Sequence, residues 1–284
     1  MILEVDMFTI RYATRTFLAI VVTLVIYLTS ASPSWATVPI PSGFTLDKSF
    51  TGVRVYKKIN PYGYWDYVTI VDLRRATMMS FTGWVSGNQP DNGLVERRTL
   101  KTHWDNAVAQ NSYSRTARVA INGTFFDPSH DPAAISFGLK AGWWRMSYGF
   151  EIGTTYKGLE RTFAYDSYFG SSSIQPYSRS TFDAGIPDVV GGLDPTADKG
   201  KTIAKRRTFV GVRDDNGDGH SETVIFFSSR GAPQSWAVTV LNGFGAGSKM
   251  MLDGGTSAGL MVDGTSYITP GYALPQVFII YSGK

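Results

Sequence analysis

Two apolar runs in this 284-residue chain stop at a polar side chain followed by glycine, and a third begins at an arginine. Met250-Met251-Leu252 runs into Asp253, Gly254, Gly255, Thr256 and Ser257. Consecutive small residues leave backbone N–H groups free to converge on one anion, and the two hydroxyls add donors. With a titratable carboxylate beside them, these residues read as a phosphate cradle next to an acid or base. Val119-Ala120-Ile121 ends at Asn122-Gly123-Thr124 and continues through Phe125-Phe126 to Asp127. Glycine there lets the backbone approach a ligand, and Asn122 offers both a donor and an acceptor. The plain alternative is a strand end with Asn122 in a turn and both phenylalanines in the core. Lys205-Arg206-Arg207 opens the run Thr208-Phe209-Val210. A guanidinium fork suits phosphate oxygens and keeps its charge in a partly dry site, whereas Lys205 and Arg206 read as a solvated strand end.

Competing motifs are weaker. Gly255-Thr256-Ser257-Ala258-Gly259 fits the G-x-S-x-G nucleophile elbow, but the only histidines are His103, His130 and His220, all before Ser257. The acid and histidine should follow the serine in that arrangement, so the match is coincidental. Asp214-Asp215-Asn216-Gly217-Asp218-Gly219 places oxygen ligands at Asp214, Asn216 and Asp218, like the first half of a calcium loop. The twelfth position is Ile225 rather than glutamate. A polar hairpin turn is therefore expected, with calcium bound weakly if at all and no other cofactor. Absence of cysteine removes thiolate zinc sites and thiol nucleophiles, and three scattered histidines make a metal-dependent phosphodiesterase a poor fit. Trp143, Trp144 and Tyr148 could stack on a sugar face, although aromatics beside glycine more often pack a core.

The elements that must position these residues are mostly strands. β-Branched and aromatic runs predict strands over 52–59, 64–73, 117–121, 207–212, 223–227, 249–252, 259–262 and 277–281. The 214–219 loop and Asp263-Gly264 read as hairpin turns. Helices are predicted over 99–111, capped by Thr99, and over 234–242, closed by Gly243. Ser, Gly and Tyr between Ser167 and Ser180 predict a loop. Strands interspersed with helices predict an α+β or mixed α/β fold: one domain, residues 37–284, on a central, mostly β core with few helices.

Residues 1–36 read as an export signal. Arg11 and Arg15 precede an apolar run from Phe17 to Leu28, and small residues lead to Ala36. That run is shorter than the roughly 20 residues a membrane span needs, so no permanent span is expected after cleavage; an uncleaved anchor is the alternative. The mature chain of about 250 residues suits a single core and would be secreted, periplasmic or in the cell envelope. The formal charge of +4 lacks long Lys/Arg blocks, which argues against nucleic acid as a partner, though Lys199, Lys201, Lys205, Arg206 and Arg207 cluster.

In order, Ala120 to Asp127, the Gly191-Gly192 segment, Arg207 to Val212 and Leu252 to Ser257 resemble the phosphodiester glycosidase family, over about Tyr64 to Tyr281. Thr124 and Thr256 stand where that family usually has glycine. The resemblance implies hydrolysis of the bond between a sugar's anomeric carbon and a phosphodiester, with a sugar phosphate or glycopolymer as substrate. A phosphodiester leaves as a stable anion, so cations and amides can replace much of the work of a general acid. One carboxylate as base or nucleophile then suffices, Asp253 first and Asp127 second. Asn122, Gly123, Thr124, Arg207 and Gly254 to Ser257 would surround the phosphate. A non-catalytic envelope module that binds sugar phosphates or anionic glycopolymers would keep the cations and amides without a poised carboxylate.

Overall fold

The computed structural model describes residues 38–284; the proposed signal segment lies outside them. β1 (Thr45–Phe50), β2 (Val53–Ile59) and β3 (Trp65–Asp72) form a meander, followed by β4 (Ala76–Thr82), β5 (Val85–Asn88) and β6 (Asn92–Val95). Helix α1 (Leu100–Val108) leads into β7 (Thr116–Asn122), then β8 (Ala133–Ala134), β9 (Leu139–Ala141), β10 (Trp144–Ser147), β11 (Glu160–Asp166) and β12 (Ser171–Pro176). After α2 (Arg179–Asp183) come β13 (Asp188–Leu193), β14 (Lys205–Arg213), β15 (Thr223–Ala232), α3 (Gln234–Gly243) and β16 (Ser248–Met251). A 3-10 turn at Gly255–Ser257, β17 (Leu260–Val262), β18 (Thr265–Ile268) and β19 (Gln276–Ser282) complete the order.

An 11-stranded sheet runs β1-β2-β3-β15-β14-β16-β13-β11-β12, with β9 and β10 attached beside β13. A five-stranded sheet runs β18-β17-β7-β19-β4, and β5, β6 and β8 make a small third one. Strand pairing is antiparallel in every ladder, for example β14 with β15 and β7 with β19. Residues Pro39–Lys284 form one compact unit.

The two larger sheets pack face to face. Val210, Val224, Phe226 and Met250 of the large sheet share a core with Val119, Ile121, Phe278 and Ile280 of the smaller one. Phe278 lies 5.1 Å from Phe226 and 5.8 Å from Phe163, ring centre to ring centre. The period-2 alternation of strands turns Phe209, Ile225 and Phe227 to the opposite side of the sheet, and α3 packs on β14 and β15. α1 covers the smaller sheet, burying Leu100, His103, Trp104 and Ala107, and Thr99 caps it by accepting from the Thr102 N–H.

This architecture corrects the expected α+β or mixed α/β class: the protein is a β-rich antiparallel sandwich. The helices form no layer; α1 is a short cover on an outer face, and α3 carries the chain across β14 from β15 to β16, which flank that strand. The predicted loop at 167–180 is corrected too, since it contains β12, paired with β11. The hairpin turns stand as read: Asp263 and Gly264 take φ of 49° and 80° between β17 and β18, and residues 214–222 join β14 to β15.

Candidate active site

The site forms where the end of β16 crosses from the large sheet to the smaller one. The Leu252 N–H donates to Thr208 O on β14 at 3.0 Å, and the next N–H, that of Asp253, donates to Gly123 O beyond β7 at 3.0 Å. Asn122 fastens this junction. Its side-chain amide donates to Asp253 O (2.7 Å), while its Oδ1 accepts from the Thr208 hydroxyl (2.6 Å) and the Gly259 N–H (2.9 Å). With 1% of its surface exposed, Asn122 has its polar atoms committed to protein. Gly123 leaves room for the Gln276 side chain, because a Cβ there would sit 1.7 Å from Gln276 Oε1. That same oxygen accepts from the Thr124 N–H at 3.0 Å, and Thr124 is buried. Asn122, Gly123 and Thr124 thus stand behind the site, holding it.

In front lies a cleft of about 330 Å³. Asp253, Gly254, Gly255, Thr256 and Ser257 line it, together with Glu151, Lys199, Lys205, Arg207, Phe125 and Tyr272. The Gly254 N–H donates to Asp253 Oδ1 at 2.9 Å. Gly255, at φ 58°, opens the 3-10 turn, and the Gly255 and Thr256 amides make no backbone hydrogen bond among the described residues. They are available to an anion.

Burial pushes the Asp253 carboxyl up to about 7. The Ser257 side chain, the Gly254 amide and the Lys199 charge favour its ionised form, while Glu151 adds negative charge that disfavours it. Asp253 is partly open to the cleft yet closely walled by protein, which is the setting that raises a carboxyl without removing it from solvent. A carboxyl near 7 exchanges its proton at neutral pH. Elevation alone is not a mark of this site, since burial also lifts Asp188 to about 6 away from the cleft.

Lys199 is held in place from several sides. Its ammonium lies 5.3 Å from the Phe125 ring centre and 4.6 Å from that of Tyr156. Its N–H donates to Oε1 of buried Gln234 (3.0 Å), and its carbonyl accepts from Arg207 Nη1 (3.1 Å). Arg207 spends its fork on backbone oxygens: Nε donates to Ala232 O and Nη2 to Gly200 O and Ile203 O. It is 4% exposed and desolvation pulls its pKa down, although a guanidinium stays charged. Arg207 contributes charge to the cleft while shaping the 199–203 loop.

Asp127 is not in the cleft wall. Its Oδ1 accepts from the Ser129 N–H and hydroxyl, which hold the carboxyl below its usual range. Sequence reasoning passed over Glu151, which sits in a turn-rich segment without periodicity, flanked by Gly149 and Gly153 at positive φ. It also read Lys199 only as part of a basic cluster. In the β14–β15 connection, Asp214, Asp218 and Glu222 present oxygens within 4.8 Å of one another, so a third carboxylate stands at the ninth position instead of the twelfth. Asn216 instead donates to Asp218. None of these residues lines the cleft. Trp143 and Trp144 are exposed at the β9–β10 turn, not packed in the core.

No protein-family model matches the chain, and no curated protein matches it. Among solved structures it is similar to the zebrafish N-acetylglucosamine-1-phosphodiester alpha-N-acetylglucosaminidase catalytic domain, with a TM-score of 0.55 and 14% identity over 84% of each chain. It is also similar to a hypothetical protein from Synechocystis, with a TM-score of 0.53 and 10% identity over 85% of this chain and 69% of that one. At these identities the likeness is one of fold: the chain shares its sandwich with a glycosidase catalytic domain.

Proposed function

We propose that the domain is an exported hydrolase that cleaves the glycosidic bond of a sugar-1-phosphodiester. The observation that carries this reading is the company Asp253 keeps: a carboxyl poised near 7, beside a second carboxylate, a fixed lysine and unpaired backbone amides in one cleft. The phosphodiester binds against Lys199, Lys205 and the Gly255 and Thr256 amides, with Arg207 adding positive charge from behind. Those groups stabilise the phosphate as it departs with the bonding electrons. Asp253, ionised, serves as base toward water or as nucleophile toward the anomeric carbon, and Glu151 is the second carboxylate of the pair. Export rests on the N-terminal order of charged, apolar and small residues. No helix among the described residues is long and apolar enough to cross a membrane.

A binding module for anionic glycans would use the same cations and amides but would have no need of a carboxyl titrating near neutrality. Incubating residues 37–284 with a panel of sugar-1-phosphodiesters tests the proposal. Release of a free sugar and a phosphomonoester, abolished in Asp253→Asn, is expected. Binding without turnover across the panel would favour the module.

A further inference from the structure

A second cationic groove of about 470 Å³ is lined by Tyr64, Arg206, Arg230, Ile268 and Thr269, and Arg206 stands in β14 between the cleft residues Lys205 and Arg207. The groove is built at a defect in the β14–β15 ladder. Lys205 faces Ala232 but Arg207 faces Ser229, so β15 carries one extra residue where Arg206 and Arg230 meet. Such bulges re-aim side chains and recur beside functional sites. Here the effect is to bring two like charges onto one segment: Arg206 Nη1 donates to Thr269 O at 3.0 Å, and Arg230 Nε and Nη2 donate to Tyr267 O at 3.0 and 2.6 Å. Both arginines are exposed, and neither has an ion pair with a carboxylate among the described residues. Neighbouring like charges across a ladder are destabilising unless an anion answers them. The Tyr64 ring closes the groove against Gly231, where a Cβ would come within 2.6 Å of it, and Tyr64 remains 43% exposed. The Thr269 and Tyr267 carbonyls hold the guanidiniums in place, and the N–H groups left over (Arg206 Nε and Nη2, Arg230 Nη1), with an accessible aromatic ring, suit a phosphate joined to a sugar.

One loop serves both: Thr269 lines the groove, Tyr272 lines the cleft with Asp253, and Thr269 to Tyr272 line a further depression that shares a residue with each. Gly271 is tied to the cleft by its N–H donating to Thr256 O at 2.7 Å.

We propose that the substrate is a polymer of sugars joined by phosphodiesters, and that Arg206 and Arg230 grip a phosphate farther along the chain whose scissile linkage lies at Asp253. This rests on the hydrolase reading above and adds the substrate's length and repeat. The experiment compares a methyl phosphodiester of the preferred sugar with a synthetic trimer of the same sugar phosphate, using the parent and an Arg206→Gln/Arg230→Gln double variant. The double variant should lose on the order of tenfold to a hundredfold in kcat/KM on the trimer, mainly through KM, with the methyl diester unaffected. Arg206→Lys/Arg230→Lys, which keeps the charges, should recover part of the loss, and raising salt should erode the parent's preference for the trimer. Equal losses on both substrates, or none on the trimer, would overturn the proposal. Should the parent hydrolyse neither compound, the hydrolase reading fails separately. Binding of a fluorescent trimer then decides the groove: roughly tenfold weaker binding by the double variant supports it, and unchanged binding refutes it.

Discussion

Replacing Asp253 with asparagine should make the protein more stable and much less active, and the gain in stability should depend on pH. Each pKa unit corresponds to about 1.4 kcal/mol between protonation states. Moving the carboxyl from 3.8 in the unfolded chain to about 7 in the fold makes its ionisation cost on the order of 4 kcal/mol at most. Because the folded pKa is the higher one, the folded state holds the proton more tightly. Stability contributed by this group therefore falls as pH rises from about 4 to about 7 and stays low above that. Asparagine keeps an oxygen for the Gly254 N–H and carries no charge, so it escapes the penalty. Since Asp253 is partly open to the cleft, about half the ceiling, ~2 kcal/mol, is expected at pH 8, or a rise of about 4–8 °C in Tm for a domain of this size. Near pH 4 the two proteins should melt together. Turnover should fall by about a hundredfold or more across the range. Calorimetry of both proteins from pH 4 to 8 is the assay. A difference in Tm that does not change with pH, or a less stable Asp253→Asn at pH 8, would refute the reasoning.

Other expectations follow from the same geometry. For a base or nucleophile, kcat/KM should rise with pH through about 7; Glu151→Gln should move that limb to lower pH and Lys199→Met to higher pH, both read from pH–rate profiles. Asn122→Ala leaves the Thr208 hydroxyl, the Gly259 N–H and the Asp253 carbonyl short of partners, and should cost about 2–5 kcal/mol in urea unfolding. Arg207→Lys gives up most of the carbonyl ties of the 199–203 loop; faster amide exchange in that loop and lower turnover are expected, with a smaller effect on global stability.

How far the sequence could be read depended on where each residue's partners lie. Strands with strong β-branched runs, such as β3, β7 and β19, were legible, as were the helix start at Thr99 and the Asp263-Gly264 turn, because each is decided by neighbours in the chain. β11, β12 and β13 were not, since Ser171-Ser172-Ser173 and Gly191-Gly192 have little intrinsic preference and become strands by pairing with one another and with β9. Missing them inflated the apparent share of helix and produced the mixed class. At the site, the Asp253 to Ser257 segment was visible because carboxylate, glycines and hydroxyls are contiguous. Asn122 was marked as a special residue, but its partners are Thr208, Asp253 and Gly259, and only the fold shows that they consume it. The guanidinium of Arg207 looked like a phosphate fork because carbonyls turned toward it leave no trace in the sequence. Glu151 reaches the cleft from a glycine-rich turn whose path is fixed by the Glu151 N–H donating to Ser136 O and the Phe150 N–H to Ile135 O.

The central claim is that water or Asp253 attacks the sugar and leaves phosphorus untouched. Hydrolysis of a sugar-1-phosphodiester in oxygen-18 water, followed by mass spectrometry of both products, tests it directly. The account predicts label at the anomeric hydroxyl of the released sugar and none in the phosphomonoester. Label in the phosphate would mean attack at phosphorus, and would contradict the glycosidase reading.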